Sequence, residues 1–244
     1  MAALLDRSRT LRALVGRNGS KLACALFVLV VLLGAALDGS LPLAVYLLSF
    51  WHYYLYWLAF AFGAVPFDVF KRDAIAMKTV SILALAVVYL AVPLDLVSLG
   101  VMGCGVLLNM RAAAVLGIDR TYYGHEVLGL APKRITAFPY SLTAHPMILG
   151  NVAAFGGTLI NPAFVQDWWP LAGLHVALNI GLLVMELVGR GRVVRVGGGL
   201  VFAGLLVAAV FAVPLLGVAA VACAWILYRR YTQETGRETH RRSS

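Results

Sequence analysis

The sequence predicts an all-α, polytopic helical bundle that crosses a membrane about seven or eight times. Three observations lead there. Hydrophobic residues make up 61% of the 244 positions, against about 45–50% in ordinary soluble domains. Mean hydropathy is +0.87. The apolar residues are gathered into long runs, and the Lys and Arg residues cluster in groups near their ends.

Residues 1–21 come first, with Arg7, Arg9, Arg12, Arg17 and Lys21 against a single Asp6. Leu4, Leu11, Leu14 and Val15 share one helical face, as in a basic interfacial helix. An Arg-rich, acid-poor targeting peptide is the alternative. Apolar runs follow at 22–37, 43–65, 79–92, 96–117, 147–160, 168–188 and 196–228. Several fall short of the roughly 20 residues that span about 30 Å of hydrocarbon, so their ends are soft. The last is long enough to be one kinked helix or a hairpin. Pro214 near its middle removes a backbone donor and favours a turn close to 213–217.

Charge orients the bundle. The connections 38–42, 93–95 and 161–167 contain Asp38, Asp95 and Asp167 and no Lys or Arg; the intervening connections and both ends hold the basic residues. This is the positive-inside distribution. It predicts cytoplasmic termini, a cytoplasmic 118–145 segment, and a hairpin at the end of the chain. Basic loops beside anionic headgroups account for the net charge of +9, and no aromatic–basic interleaving suggests nucleic acid. The division expected is a basic segment 1–21, helices in 22–95, a core 96–192, a helix or hairpin 193–228 and a basic tail 229–244. The longest stretch lacking a strong apolar run, 118–145, is too short for a Rossmann unit. Cys24, Cys104 and Cys223 all lie in apolar runs and form no CxxC or disulfide framework.

Four polar features remain. The first is Thr121 to Glu126, with Tyr122, Tyr123, Gly124 and His125 between. The second is Arg134 to Gly150, where Phe138-Pro139 and His145-Pro146 stiffen the chain and Pro146 suits the first position of a helix. The amides of such a helix start favour a carboxylate or phosphate, and His145 lies at that mouth. The third is Glu186, a carboxylate in an apolar run, with Arg190 and Arg192 nearby. The fourth is Gly103 and Gly105, with Asn109 and Arg111 following. A Gly-x-Gly serves helix packing or the close approach of a ligand. Glu186 pairs with Arg190 one turn on or faces a site. His175 and Asn179 suit interhelical hydrogen bonds. The aromatic stretch from Trp51 to Trp57 forms an interfacial belt or the wall of a lipid or cation pocket. His125, Glu126 and His145 match no established metal-ligand spacing, so no metal is expected.

At these residues the chain resembles the membrane phospholipid N-methyltransferases and their relatives, the isoprenylcysteine carboxyl methyltransferases. The resemblance covers about 96–192. It is carried by Tyr122-Tyr123-Gly124, Arg134-Ile135-Thr136, Phe138-Pro139-Tyr140, His145-Pro146-Met147 and Gly150. It implies an isoprenylcysteine-methyltransferase-like core and a donor, S-adenosyl-L-methionine, held by Gly103, Gly105, Tyr123, Arg134, His145, Pro146, Met147, Gly150 and Glu186. Only the second acid of the family's Glu-Glu pair is present, since Met185 precedes Glu186. Ile148 stands where an aromatic is usual, and His145 is the residue of the isoprenylcysteine branch.

Methyl transfer requires alignment and exclusion of water more than acid catalysis. An amine acceptor must lose a proton, which makes His145 the candidate base and Glu126 the second. Arg134, Phe138, Tyr140, Trp51 and Tyr54 are the candidate acceptor contacts, Arg134 for a lipid phosphate. The expectation is a multi-pass integral-membrane methyltransferase of a bacterial inner membrane or endomembrane, working on the cytoplasmic side. Its acceptor would be a lipid headgroup amine or another lipophilic molecule. The alternatives are an NADPH-dependent reductase of the sterol-reductase type and a non-enzymatic scaffold or transporter.

Overall fold

The protein is described by a computed structural model that gives the backbone of residues 2–39, 41–63, 65–123, 130–131 and 135–233, and the side chains of these residues except 2–18, 38 and 233. All regular structure among the described residues is helical. The helices are α1 (Ala2–Asp38), α2 (Leu41–Phe62), α3 (Phe67–Leu90), α4 (Leu96–Leu116), α5 (Ile118–Thr121), α6 (Pro146–Gly157), α7 (Pro162–Val188), α8 (Arg192–Ala212) and α9 (Pro214–Gln233), with a short 3-10 turn at Thr158–Ile160 between α6 and α7.

Among the described residues, five stretches are long and apolar enough to cross a membrane: Gly19–Leu37 of α1, then α3, α4, α7 and α8. That is fewer than the seven or eight expected. α2 is diluted by His52 and its tyrosines, and α9 ends in Arg229 and Arg230. The helices also overrun the apolar runs. α3 begins at Phe67 rather than near 79, so Lys71, Arg72 and Lys78 lie within it. The basic N-terminal segment and the first run form one continuous helix. Long basic side chains keep their stems on apolar surface and carry the charge away, so a charge ends an apolar run without ending a helix.

α2 is the hub. From Leu48 to Ala61 every residue is buried, against α1, α3, α7, α8 and α9. α8 and α9 fold back on each other as a helical hairpin. Val213 leaves helical geometry at φ −142°, ψ 96°, and a Cβ on Gly217 would strike the Val210 backbone. Tyr54 touches both arms, its ring 5.2 Å from that of Phe202 and its hydroxyl donating to the Ala224 carbonyl at 3.0 Å.

The opposite ends of α3, α4 and α7 are tied by caps. Asp95 accepts from the Ser98 amide at 2.7 Å and starts α4. Asn161 accepts from the amides of Ala163 and Phe164, starts α7, and donates to the Pro93 carbonyl at 2.9 Å. Ser98 receives the Tyr89 hydroxyl and donates to the Gly157 carbonyl, each at 2.7 Å. These bonds satisfy helix termini that an apolar surrounding cannot.

Candidate active site

α4 and α6 cross with their backbones in contact. A Cβ on Gly105 would run into the Ala154 amide and come within 2.6 Å of the Gly150 carbonyl; one on Gly150 would lie 2.7 Å from the Gly105 carbonyl. These two glycines set the crossing. Asn109, one turn after Gly105, then reaches α6 and donates to the Met147 carbonyl at 2.9 Å and to Asn151 Oδ1 at 2.8 Å. The first turn of α6 is thereby clamped to α4. Gly103 is exposed, with nothing near its missing Cβ.

The loop before α6 is built of short turns, Tyr140 N–H to Ala137 and Leu142 N–H to Pro139. His145 is the N-cap residue and Pro146 the first of the helix, and no side chain caps that end. The amides of Met147 and Ile148 thus point outward at a positive helix end. Opposite stands Glu186, two turns along α7 from Asn179 and within the last turn of that helix. Glu186 Oε2 lies 3.5 Å from His145 Nδ1, and both side chains are about one third exposed, 30% and 34%.

Both line a cleft of about 710 Å3. Its walls are the end of α4 and α5 (Leu116, Arg120, Thr121, Tyr123), the loop (Ile135, Tyr140 to Ala144), the start of α6 (His145 to Ile148) and Glu186. The volume is that of a small-molecule site. Burial pushes the Tyr140 phenol above its ordinary range, and the Glu186 carboxylate pushes it further. Tyr140 is therefore a neutral hydroxyl in the cleft. Arg120 donates to the Ala131 carbonyl at 2.8 Å and lends positive charge to the rim.

Of the residues singled out from the sequence, Tyr123, Tyr140, His145, Pro146, Met147 and Glu186 line this cleft. Gly105 and Gly150 stand behind it at the helix crossing. Phe138 is exposed and not part of the wall. Trp51 and Tyr54 face a separate apolar cavity of about 230 Å3 between α2 and the α8–α9 hairpin. Glu126 and Arg134 lie outside the described residues.

A hydrogen-bonded chain runs through the interior, and only part of it is foreshadowed by the spacing of His175 and Asn179. Asn151 donates to Asn179 at 3.0 Å, Asn179 donates to the Tyr53 hydroxyl at 2.8 Å, and that hydroxyl lies 3.0 Å from His175 Nδ1. With Asn109 it joins α4, α6, α7 and α2. His175 and Asn179 are the interhelical bonders their spacing suggests. Asn151 and Tyr53 reveal themselves only once four helices are packed.

The His145–Glu186 cleft and the α4–α6 crossing lie in one stretch of chain. Residues 94–187 match the phospholipid methyltransferase family model. The sequence motifs resemble the same family, and the match holds every described residue of the cleft wall. No curated protein and no solved structure matches the chain. The matched segment thus runs from the connection between α3 and α4 to the last turn of α7. α1, α2, α3 and the α8–α9 hairpin lie outside it.

Proposed function

We propose that the protein is an integral-membrane methyltransferase that uses S-adenosylmethionine and acts on a lipid headgroup amine or another lipophilic acceptor. The observation that carries this reading is the meeting of His145 and Glu186 across one cleft inside the phospholipid methyltransferase segment. The residues present suit the donor. The uncapped start of α6 offers the Met147 and Ile148 amides to a carboxylate. Glu186 offers acceptor oxygens to an ammonium or ribose hydroxyls, and the neutral Tyr140 hydroxyl adds a polar contact. S-adenosylmethionine, when bound, supplies a methyl group on a sulfonium, which leaves as a neutral thioether when the acceptor nitrogen takes the methyl.

The chain's own work is alignment, exclusion of water and removal of one proton. His145 can take the proton released by an ammonium acceptor, and the imidazolium so formed faces the Glu186 carboxylate at 3.5 Å. Both are partly open to water, so the proton can leave through the cleft mouth. The loop from Tyr140 to Ala144 lines the cleft beside the reacting atoms.

The test is incubation of the full chain with labelled methyl donor and total membrane lipid, followed by identification of the labelled species. Wild type is expected to label a lipid. His145→Ala and Glu186→Gln are each expected to reduce labelling by about 100-fold or more, the scale of a lost acid–base group. S-adenosylhomocysteine, and not NADPH, is expected to raise the melting temperature. Full activity in both variants would overturn the site; stabilisation by NADPH alone would favour a reductase.

A further inference from the structure

Below the cleft lies a second polar space that no sequence motif announces. It measures about 60 Å3, room for about two waters at roughly 30 Å3 each, or for one small group. Thr121, Tyr123, Met147, Ile148 and Glu186 wall both spaces, so the chamber continues the cleft inward. Its far side is built by Lys78 of α3, His52 and Tyr56 of α2, Asn151 of α6 and Asn179 of α7.

Lys78 is the informative residue. It lies eleven residues into α3, roughly 16 Å along the helix at 1.5 Å per residue, inside a stretch apolar enough to cross a membrane. An ammonium there is costly unless something answers it. Among the described residues no carboxylate lies within 4.0 Å of it. His52 is 3% exposed, lines the same chamber, and its Nδ1 has no hydrogen-bond partner. The Ser49 carbonyl one turn back accepts from Ser81 at 2.7 Å and also faces the His52 ring. Asn151 and Asn179 are spent on each other and on Tyr53. The inner end therefore holds the Lys78 ammonium beside the His52 ring, and among the described residues the only carboxylate on the wall, Glu186, sits at the outer end.

We propose that this chamber seats an anionic oxygen group of the acceptor, a phosphate or carboxylate, on Lys78 with His52 as its second contact. The reacting atom of the same molecule stays at the His145–Glu186 end. Charge complementarity selects the occupant: a neutral or cationic group would leave Lys78 uncompensated. Tyr53 and Leu182 also wall an apolar groove of about 460 Å3 between α7 and α8, so a hydrocarbon tail on that group has a place beside the chamber. This deepens the methyltransferase reading and rests on it for the word acceptor, although the oxyanion site stands on its own geometry.

The kinetic test compares phosphatidylethanolamine with octadecylamine, a long-chain amine lacking phosphate, in full-length protein. Lys78→Met is expected to raise KM for phosphatidylethanolamine at least tenfold, to leave donor KM within twofold, and to spare octadecylamine; Lys78→Arg should recover part of the loss. Equal losses with both amines would overturn the proposal, as would a rise confined to donor KM. A binding arm needs no catalysis. Dodecyl phosphate, laurate and inorganic phosphate are added separately to wild type, and Lys78 is probed with an amine-reactive label. Protection by dodecyl phosphate or laurate supports a lipid-borne oxyanion and tells phosphate from carboxylate. Protection by inorganic phosphate alone, or by none, overturns it. If no acceptor is methylated but protection is seen, the chamber stands and the methyltransferase reading falls.

Discussion

The cleft and the chamber beneath it share five residues and are otherwise opposites. The cleft is wide, about 710 Å3, and its described wall lies between Leu116 and Glu186, all inside the segment that matches the phospholipid methyltransferase family model. The chamber is about 60 Å3 and takes His52, Tyr53, Tyr56 and Lys78 from helices outside that segment. The difference teaches where general and particular chemistry can reside. A cleft built by one contiguous segment keeps its geometry whatever surrounds it. A chamber that borrows part of its wall from α2 and α3 changes with those helices. On the proposed reading, donor handling belongs to the first and acceptor choice to the second.

The strongest way to break that division is to disturb what both spaces stand on. Gly150 touches the Gly105 carbonyl and the Asn109 amide, and its neighbours on α6 line the cleft on one side and the chamber on the other. Gly150→Leu places a side chain against fixed backbone, which costs about 3 kcal/mol, the upper end of ordinary overpacking. The melting temperature should fall sharply, and donor binding and acceptor turnover should fail together. A variant that keeps its stability and loses only one function would show that the two spaces do not share this foundation.

A finer cut uses the asparagine chain. Asn179→Leu removes the bond to Tyr53 and leaves Asn151 Nδ2 without its acceptor, while Asn109 still clamps the start of α6. Leaving buried polar groups unpaired costs about 1–3 kcal/mol. Because Asn179 lines the chamber and not the cleft, acceptor KM should rise severalfold while the S-adenosylhomocysteine thermal shift stays within error. A matched loss of donor binding would merge the two spaces into one site.

How far the sequence could foresee this follows from the same contrast. The cleft was legible because its residues are near one another in the chain or belong to one motif set. Tyr123, Tyr140, His145 to Met147 and Glu186 could all be named, and Pro146 marks its helix start by ring geometry alone. Helical character and apolar spans were legible from composition. The chamber was not. Lys78 sits at the edge of an apolar run and reads as a loop charge that orients the bundle. Only the extension of α3 back to Phe67 carries it into a helix facing α2 and α7. Asn151 and Tyr53 lack any local pattern, since their partners lie 28 and 126 positions away. Trp51 and Tyr54, neighbours of His52 and Tyr53 in sequence, point elsewhere because a helix turns each successive residue by about 100°.

That rotation supplies the smallest and most discriminating control. Tyr54 follows Tyr53 in the chain, yet its hydroxyl bonds the Ala224 carbonyl of α9 and its ring leans on Phe202 of α8. It lines the separate cavity beside the hairpin and neither of the two connected spaces. Tyr54→Phe keeps the ring and removes one hydrogen bond, worth about 0.5–1.5 kcal/mol. A small fall in melting temperature is expected, with both KM values within twofold of wild type. A selective rise in acceptor KM would carry acceptor contact past the chamber into the hairpin cavity. The boundary drawn at Tyr53 would then be in the wrong place, and the α8–α9 hairpin would belong to the acceptor site.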